Sequence, residues 1–214
     1  MSVLPAAVLE EAGGLWLATL QRALARASHD VKDALNGVSV NVEVVRSRAA
    51  RPDVPASVVA PFAEAAGQQL ERLTTLIEAV LALGRPERDP ADVAVTLQRV
   101  ATLCGASSSG ADAAVELRES DGGIIGDTRT RVRGDIVRLA LAAPLLDIVA
   151  GTDRAKRASA VVCTLGGNEE SIVVTIGAPG RRTRMPDAVA EVARAGGVRW
   201  TNESQDLSLG FPRL

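Results

Sequence analysis

Hydrophobic positions recur with a helical period over the first eighty residues of this chain. On residues 6–50 they fall mostly three or four residues apart, as on one face of a helix. This stripe comprises Leu17, Leu24, Ser28, Val31, Leu35, Val38, Val42 and Val45. A second stripe, on residues 57–83, comprises Phe62, Ala66, Leu70, Leu73, Ile77, Val80 and Leu81. The prolines of "RPDVP", 51–55, end the first helix, because proline cannot continue one.

The pattern therefore predicts an antiparallel helical hairpin, with Ser57 as the N-cap and Gly84 as the C-cap of its second helix. A single hairpin cannot cover its own broad apolar face, whereas two hairpins together form a four-helix bundle. We therefore expect a homodimer that forms through residues of about 6–83.

The period changes after "GRPERDPAD", 84–92, a charged and proline-bearing stretch. The chain is thus expected to divide into a helical hairpin at 1–84, a linker at 85–91 and a second domain at 92–214. Helices are predicted at 92–104, at 134–150 and within "PDAVAEVARAGG". Strands are predicted at 113–119, followed by the turn "SDGG", in the hairpin "ASAVVCTL"/"ESIVVTIG", and in "VRWTN" and "DLSLGFP". The predicted fold class is α+β, with a dimeric four-helix bundle followed by a small α/β sandwich whose helices cover one face of a mixed sheet.

Composition narrows the classes of function. Apolar residues make up 47% of the chain, but there are only two Phe, two Trp and no Tyr, and the net charge is −2. A nucleic-acid surface usually needs stacking aromatics and a basic excess, so no nucleic-acid partner is expected. The two cysteines are far apart and there is one histidine, so no metal site is predicted. No apolar run reaches the ~20 residues of a membrane helix and no signal peptide opens the chain. We therefore expect no membrane partner and a cytoplasmic protein.

The single histidine stands in "ASHDVKDALNG", 27–37, one residue off the predicted stripe and therefore on the exposed flank of the helix. Asp30 is a candidate to accept a hydrogen bond from one imidazole nitrogen, which would fix the tautomer in which the other nitrogen is a nucleophile. Lys32 is a candidate to neutralise charge on a phosphoryl group. The predicted catalytic residues are therefore His29, Asp30 and Lys32. The alternative is an ordinary surface histidine.

At this point the sequence resembles a known family. "SHDVKDALNGVSVNVEVV", 28–45, resembles the H-box of bacterial sensor histidine kinases, and the hairpin around it resembles their dimerisation and histidine-phosphotransfer domain. "VRGDIVRLALAAPLLDIVA", 132–150, and "GGVRWTNESQDLSLGFP", 196–212, are similar to the first helix and the closing strands of their ATP-binding domain. The resemblance implies that the partners are response-regulator receiver domains, and it marks Asp33 and Asn36 as the partner-binding residues.

The chain departs from the family pattern where the family binds Mg-ATP. Pro144 and Ile148 stand in place of asparagines, and neither offers a side-chain oxygen to a hard cation. Gly177 of "IGAPG", 176–180, replaces the adenine-binding aspartate, and the "RRTRMPDA" that follows is short for a lid. The sandwich is therefore expected to be a degenerate ATPase domain with no cofactor of its own. In the H-box, Asp33 replaces Thr or Asn, which argues against phosphatase activity, and Ala34 replaces proline.

The function that these residues favour is that of a histidine phosphotransferase in a two-component phosphorelay. His29 would carry a phosphoryl group between receiver aspartates, without ATP, and the receiver would supply the Mg²⁺. Two alternatives stay open. One is a non-enzymatic dimeric scaffold or regulator of a kinase or response regulator, and the other is an active histidine kinase with a divergent nucleotide site.

Overall fold

The computed structural model describes residues 4–85, 89–105, 115–120, 126–150, 161–203 and 205–214. It begins with two long helices, α1 at Ala6–Ala49 and α2 at Ala56–Gly84, which pack against each other along their length. The elements that follow are β1 (Ala91–Asp92), α3 (Val93–Leu103), β2 (Val115–Glu119), β3 (Arg129–Thr130), α4 (Gly134–Ala150), β4 (Val161–Gly167), β5 (Ser171–Gly177), α5 (Asp187–Ala195), β6 (Arg199–Glu203) and β7 (Asp206–Pro212). The predicted helical hairpin followed by an α/β sandwich is confirmed.

The two hairpin helices begin directly after prolines and not after residues whose side chains cap them. Pro5 and Pro55 occupy the N-cap positions of α1 and α2, and neither cap makes a side-chain hydrogen bond. The prediction of Ser57 as an N-cap is therefore wrong, because Ser57 lies inside the first turn of α2. Gly84 is the last helical residue, and Arg85 takes the C-cap position. Residues 86–88 of the predicted linker and most of the predicted turn "SDGG" lie outside the described residues.

The sandwich has a five-stranded mixed sheet in the order β2-β4-β5-β7-β6. Only the β2–β4 pair is parallel, and the other neighbouring pairs are antiparallel. The apolar residues of β5 and β7 alternate along each strand, so they point to the same inner face of the sheet and are closed to solvent. These residues are Ile172, Val174, Ile176, Leu207, Leu209 and Phe211, each 0% exposed. Most residues of helix α4 are apolar, and these lie buried within this core.

The sequence reading missed one element, a two-stranded antiparallel pair formed by β1 and β3. Each strand has only two residues, which is too short to produce a hydrophobic period. The pair lies beside the start of α3, where Asp92 accepts hydrogen bonds from the Val95 N–H and from the Thr128 hydroxyl. The Asp92 carboxylate thus caps α3 and ties it to the segment before β3.

The N-terminal half of α1 packs directly against the sandwich. Trp16 and Ala23 of α1 share one small apolar contact region with Leu83 of α2 and with residues of α3 and α4. The Arg138 guanidinium of α4 lies 4.4 Å from the centroid of the Trp16 ring and donates a hydrogen bond to the Arg85 carbonyl. The hairpin and the sandwich therefore share a continuous core.

Candidate functional site

Helix α1 presents a narrow inward stripe of mostly small residues. Its buried positions recur at intervals of three and four, and they are Ala12, Trp16, Thr19, Ala23, Ala27, Asp30 and Ala34. This stripe lies one residue before the stripe predicted from the leucines and valines. On that predicted stripe, Ser28 is exposed and Val31 is half-buried in the single chain, so its packing against a second copy stays a prediction. Small side chains allow α1 to approach its neighbours closely, which explains why alanines face inward.

His29 lies on the outer flank of α1, where its side chain is exposed. Lys32, Asp33 and Asn36 are exposed too, at three, four and seven residues beyond the histidine. Helical positions with these spacings lie on one face, so the four side chains form a polar ridge about 10 Å long. An imidazole in this setting is accessible to a group that another protein presents.

Asp30 lies elsewhere. It is 8% exposed and belongs to the inward stripe, about 100° around the helix from His29. Its surroundings include the end of α3, because the charges of both Asp30 and Arg26 act on the Cys104 thiol. Burial is the main reason why the pKa of Cys104 is raised to about 12. The role of Asp30 in orienting the imidazole remains a prediction, and its burial indicates an additional part in packing α1 against its neighbours.

Two arginines that sequence reasoning did not select connect this part of α1 to the sandwich. Arg22 Nη1 lies 2.5 Å from Asp147 Oδ1 of α4, and Arg26 Nη2 lies 3.3 Å from the Cys104 carbonyl oxygen. Arg22 precedes His29 by seven residues, which places both side chains on nearly the same line along the helix. No local signal could have shown these contacts, since Arg22 and Asp147 are 125 residues apart.

Two of the residues that depart from the ATP-binding pattern line one cleft of the sandwich. A cleft of about 380 Å³ opens between the C-terminal half of α4 and the segment that precedes α5. Pro144 and Ile148 both line it and are themselves buried. At these two positions the side chains offer hydrocarbon where a bound Mg²⁺ would need oxygen ligands, and the Asp147 carboxylate on the same side is paired with Arg22. The opposite side is formed by residues 181–184, which include three arginines.

Gly177 ends β5 opposite the start of β7, and the space beside it is occupied. A Cβ atom on Gly177 would lie 2.6 Å from Oδ1 of Asp206. A side chain at position 177 would therefore require the Asp206 carboxylate to move. An aspartate there would also bring two like charges together, which is unfavourable.

Three further features of the described residues concern a membrane span, a metal site and the two cysteines. Among those residues, no helix is both long and apolar enough to cross a membrane. Within the same segments, His, Cys, Asp and Glu side chains form no group of three or more that could hold a metal ion. Cys104 and Cys163 are free and buried, and burial raises the pKa of each thiol to about 12, so both are neutral at physiological pH.

No protein-family model and no curated protein matches this chain. Among solved structures, it is similar to the Acinetobacter baumannii histidine kinase AdeS, with 12% identity over 86% of this chain and 97% of that chain, at a TM-score of 0.39. It is also similar to a histidine kinase from Burkholderia phymatum STM815, with 13% identity over 88% and 97% of the two chains, at a TM-score of 0.35. A third similar structure is histidine kinase ThkA, solved in complex with the response regulator protein TrrA. Its identity is 13% over 92% of this chain and 63% of that chain, at a TM-score of 0.38.

Each of the three similar structures is a histidine kinase. The identities are below 25% and the TM-scores below 0.5, so the proposals that follow rest on the residues of this chain. The family resemblance supplies the class of chemistry to be tested, and the exposed ridge supplies the place.

Proposed function

We propose that this protein is a histidine phosphotransferase of a two-component phosphorelay. In the proposed reaction, one nitrogen of the neutral His29 imidazole attacks the phosphorus of a receiver's aspartyl phosphate. The new P–N bond forms as the P–O bond breaks, and the receiver carboxylate leaves with the electron pair. The other imidazole nitrogen keeps its proton, and the reverse reaction passes the phosphoryl group to a second receiver.

The observation that carries this proposal is the exposure of the only imidazole on a ridge with Lys32, Asp33 and Asn36. A protein that receives a phosphoryl group from another protein needs a nucleophile that the partner can reach. It does not need to bind Mg²⁺, because the receiver carries the ion that stabilises the phosphoryl charge. Lys32 lies one turn from His29 and adds positive charge on the same face. Asp33 and Asn36 extend the face that the receiver would contact.

The relay, and not an active kinase, is proposed because of the cleft beside α4 and the surroundings of Gly177. Pro144 and Ile148 offer no side-chain oxygen ligand, and the Asp206 carboxylate fills the space beside Gly177. These features support a sandwich that has lost ATP binding. The phosphoryl group would then come from a partner and not from this chain.

A homodimer completes the proposed protein. Seven large apolar side chains of the two predicted stripes remain 38–57% exposed in the single chain, and they are Leu17, Leu24, Leu35, Val42, Leu70, Ile77 and Leu81. Those of α1 lie along the stripe that the sequence predicted to pack. Burying this stripe against a second copy would form the four-helix bundle and leave His29 on its outer flank.

The test is transfer of radioactive phosphate from phosphorylated receiver domains of the source organism to this chain. We expect one labelled residue, with an acid-labile and base-stable bond, and we expect His29→Gln to abolish the label without changing the mass or the melting temperature. Asn36→Ala provides a matched variant on the same ridge and should retain label. A chain that labels itself from Mg-ATP would show instead that it is an active kinase.

The second candidate is a dimeric scaffold that binds a kinase or response regulator without phosphate chemistry. The burial of Asp30 on the inward stripe favours it, because that residue lies about 100° around the helix from the exposed imidazole. A scaffold would bind receivers with equal affinity before and after His29→Gln and would acquire no label from any of them. The two functions therefore differ in one measured quantity, the phosphate that the chain retains.

A further inference from the structure

The cleft that residues 181–184 line is linked to α1 near His29. Asp147 lines the cleft and is held by Arg22, and Arg22 precedes His29 by seven residues. At about 1.5 Å per residue, Arg22 and His29 are separated by about 10 Å along the helix axis, on nearly the same face. The edge of the cleft is therefore next to the polar ridge.

A docked protein would cover both places. A stable protein interface covers about 800 Å² on each partner, which corresponds to a patch of roughly 15 Å radius. Centred on His29, such a patch extends past Arg22 and Asp147 to the sandwich. A compact domain of about 100 residues is wide enough to span this distance.

The surface that it would meet on the sandwich is basic. Arg182 and Arg184 are exposed and line the cleft, and Arg181 is fixed by a hydrogen bond from Nη1 to the Ile148 carbonyl at 3.1 Å. Two carboxylates oppose this charge: Asp147, which is paired with Arg22, and Asp187 at the start of α5. The arginine segment, residues 181–184, thus retains a positive excess beside Asp147, the residue that Arg22 joins to α1.

We infer that the arginine segment is a second contact surface for the partner that docks on His29, and that it selects partners with an acidic patch. The inference rests on the proposed function for the identity of that partner, a receiver domain. Complementary charges at the rim of an interface mainly raise the association rate and suppress wrong partners. The segment would therefore act on binding and leave the chemistry at the imidazole unchanged.

The test compares Arg182→Glu/Arg184→Glu with Arg51→Glu, a control at the exposed hairpin turn about 33 Å along α1 from His29. The probe is the receiver domain that binds the wild-type chain most tightly among those of the source organism. Two reversed charges at the rim should raise both the dissociation constant and the KM of transfer about tenfold, with kcat within twofold. The salt dependence of KM should also become weaker in the double variant, whereas Arg51→Glu should change neither quantity.

A small-molecule phosphodonor separates this inference from the proposed function. Phosphoramidate should label His29 at the same rate in all three proteins, because it needs no protein surface. If the receiver binds but His29 takes no label from either donor, the relay is refuted, and the dissociation constants still decide the role of the arginines. A dissociation constant that changes less than twofold in the double variant would overturn the inference, and so would the absence of binding by every receiver. Circular dichroism and melting curves confirm that the variants are folded.

Discussion

A charge on the exposed apolar stripe should split the proposed dimer without unfolding the chain. Leu35 is 46% exposed in the single chain, and fully burying a leucine gains about 1.5–3 kcal/mol. A dimer that covers the remaining exposed half would gain about 1 kcal/mol from each of the two copies of Leu35. Leu35→Glu removes that gain and forces two carboxylates to lose water, which costs several kcal/mol more. The dissociation constant should therefore rise at least about 100-fold.

The assay is sedimentation equilibrium between 1 and 50 μM, combined with thermal melting. Val40→Glu is the control, because Val40 is 64% exposed but lies on the His29 side of α1, away from the stripe. It should leave both the mass and the stability nearly unchanged. Leu73→Glu gives a different outcome, because Leu73 is half-buried within the chain, and a charge there should lower the melting temperature of the hairpin itself.

The reasoning would be refuted if the wild-type chain sediments as a folded monomer throughout this range. It would be refuted equally if Leu35→Glu keeps the mass of a dimer. In either case the leucines and valines of the stripe would need another partner to explain their exposure.

Three other variants test the structure. Trp16→Ala should lower the free energy of unfolding in urea by about 3 kcal/mol, because Trp16 joins the hairpin to the sandwich, and a loss under 1 kcal/mol would contradict that contact. Gly177→Asp should not restore ATP binding in calorimetry, since the new carboxylate would meet Asp206, and a micromolar dissociation constant would show the cleft to be repairable. Burial raises the pKa of Cys104 and Cys163 from about 9 to about 12, so the unfolded chain loses these thiol protons first as pH rises. The free energy of unfolding should therefore fall between about pH 9 and pH 11, and Cys104→Ala/Cys163→Ala should lessen that dependence.

The sequence predicted the helices and long strands because their hydrophobic periods are strong. Helix α4 was predicted with its observed limits, and β5 and β7 were recognised from strand-like runs bounded by turn residues. The inward face of α1 was not recognised, since alanines and an aspartate carry little hydrophobic signal. Those residues face inward because a close helix contact selects small side chains, and leucines one position away dominate the sequence pattern.

The candidate site, like the fold, could be predicted only in part from the sequence. The exposure of His29 follows from its place one residue off either stripe, and the structure agrees. The burial of Asp30 could not be predicted, because an aspartate between a histidine and a valine is usually assumed to face water. The pairing of Arg22 with Asp147 and the approach of Asp206 to Gly177 depend on tertiary folding alone. Neither pair has a spacing in the sequence that distinguishes it from chance.

The contact between Trp16 and Arg138 bears on how phosphoryl transfer through His29 would be controlled. Because the sandwich is packed on α1 through a shared core, no rearrangement of the chain is needed to uncover the imidazole, which is open in the structure described. A relay of this form would not regulate its own rate. The rate of phosphoryl transfer would depend on the concentrations and phosphorylation levels of the receivers that donate and accept the group. Such a phosphotransferase would pass the phosphoryl group in both directions. The direction of net transfer would be set by the receiver that loses its phosphate fastest.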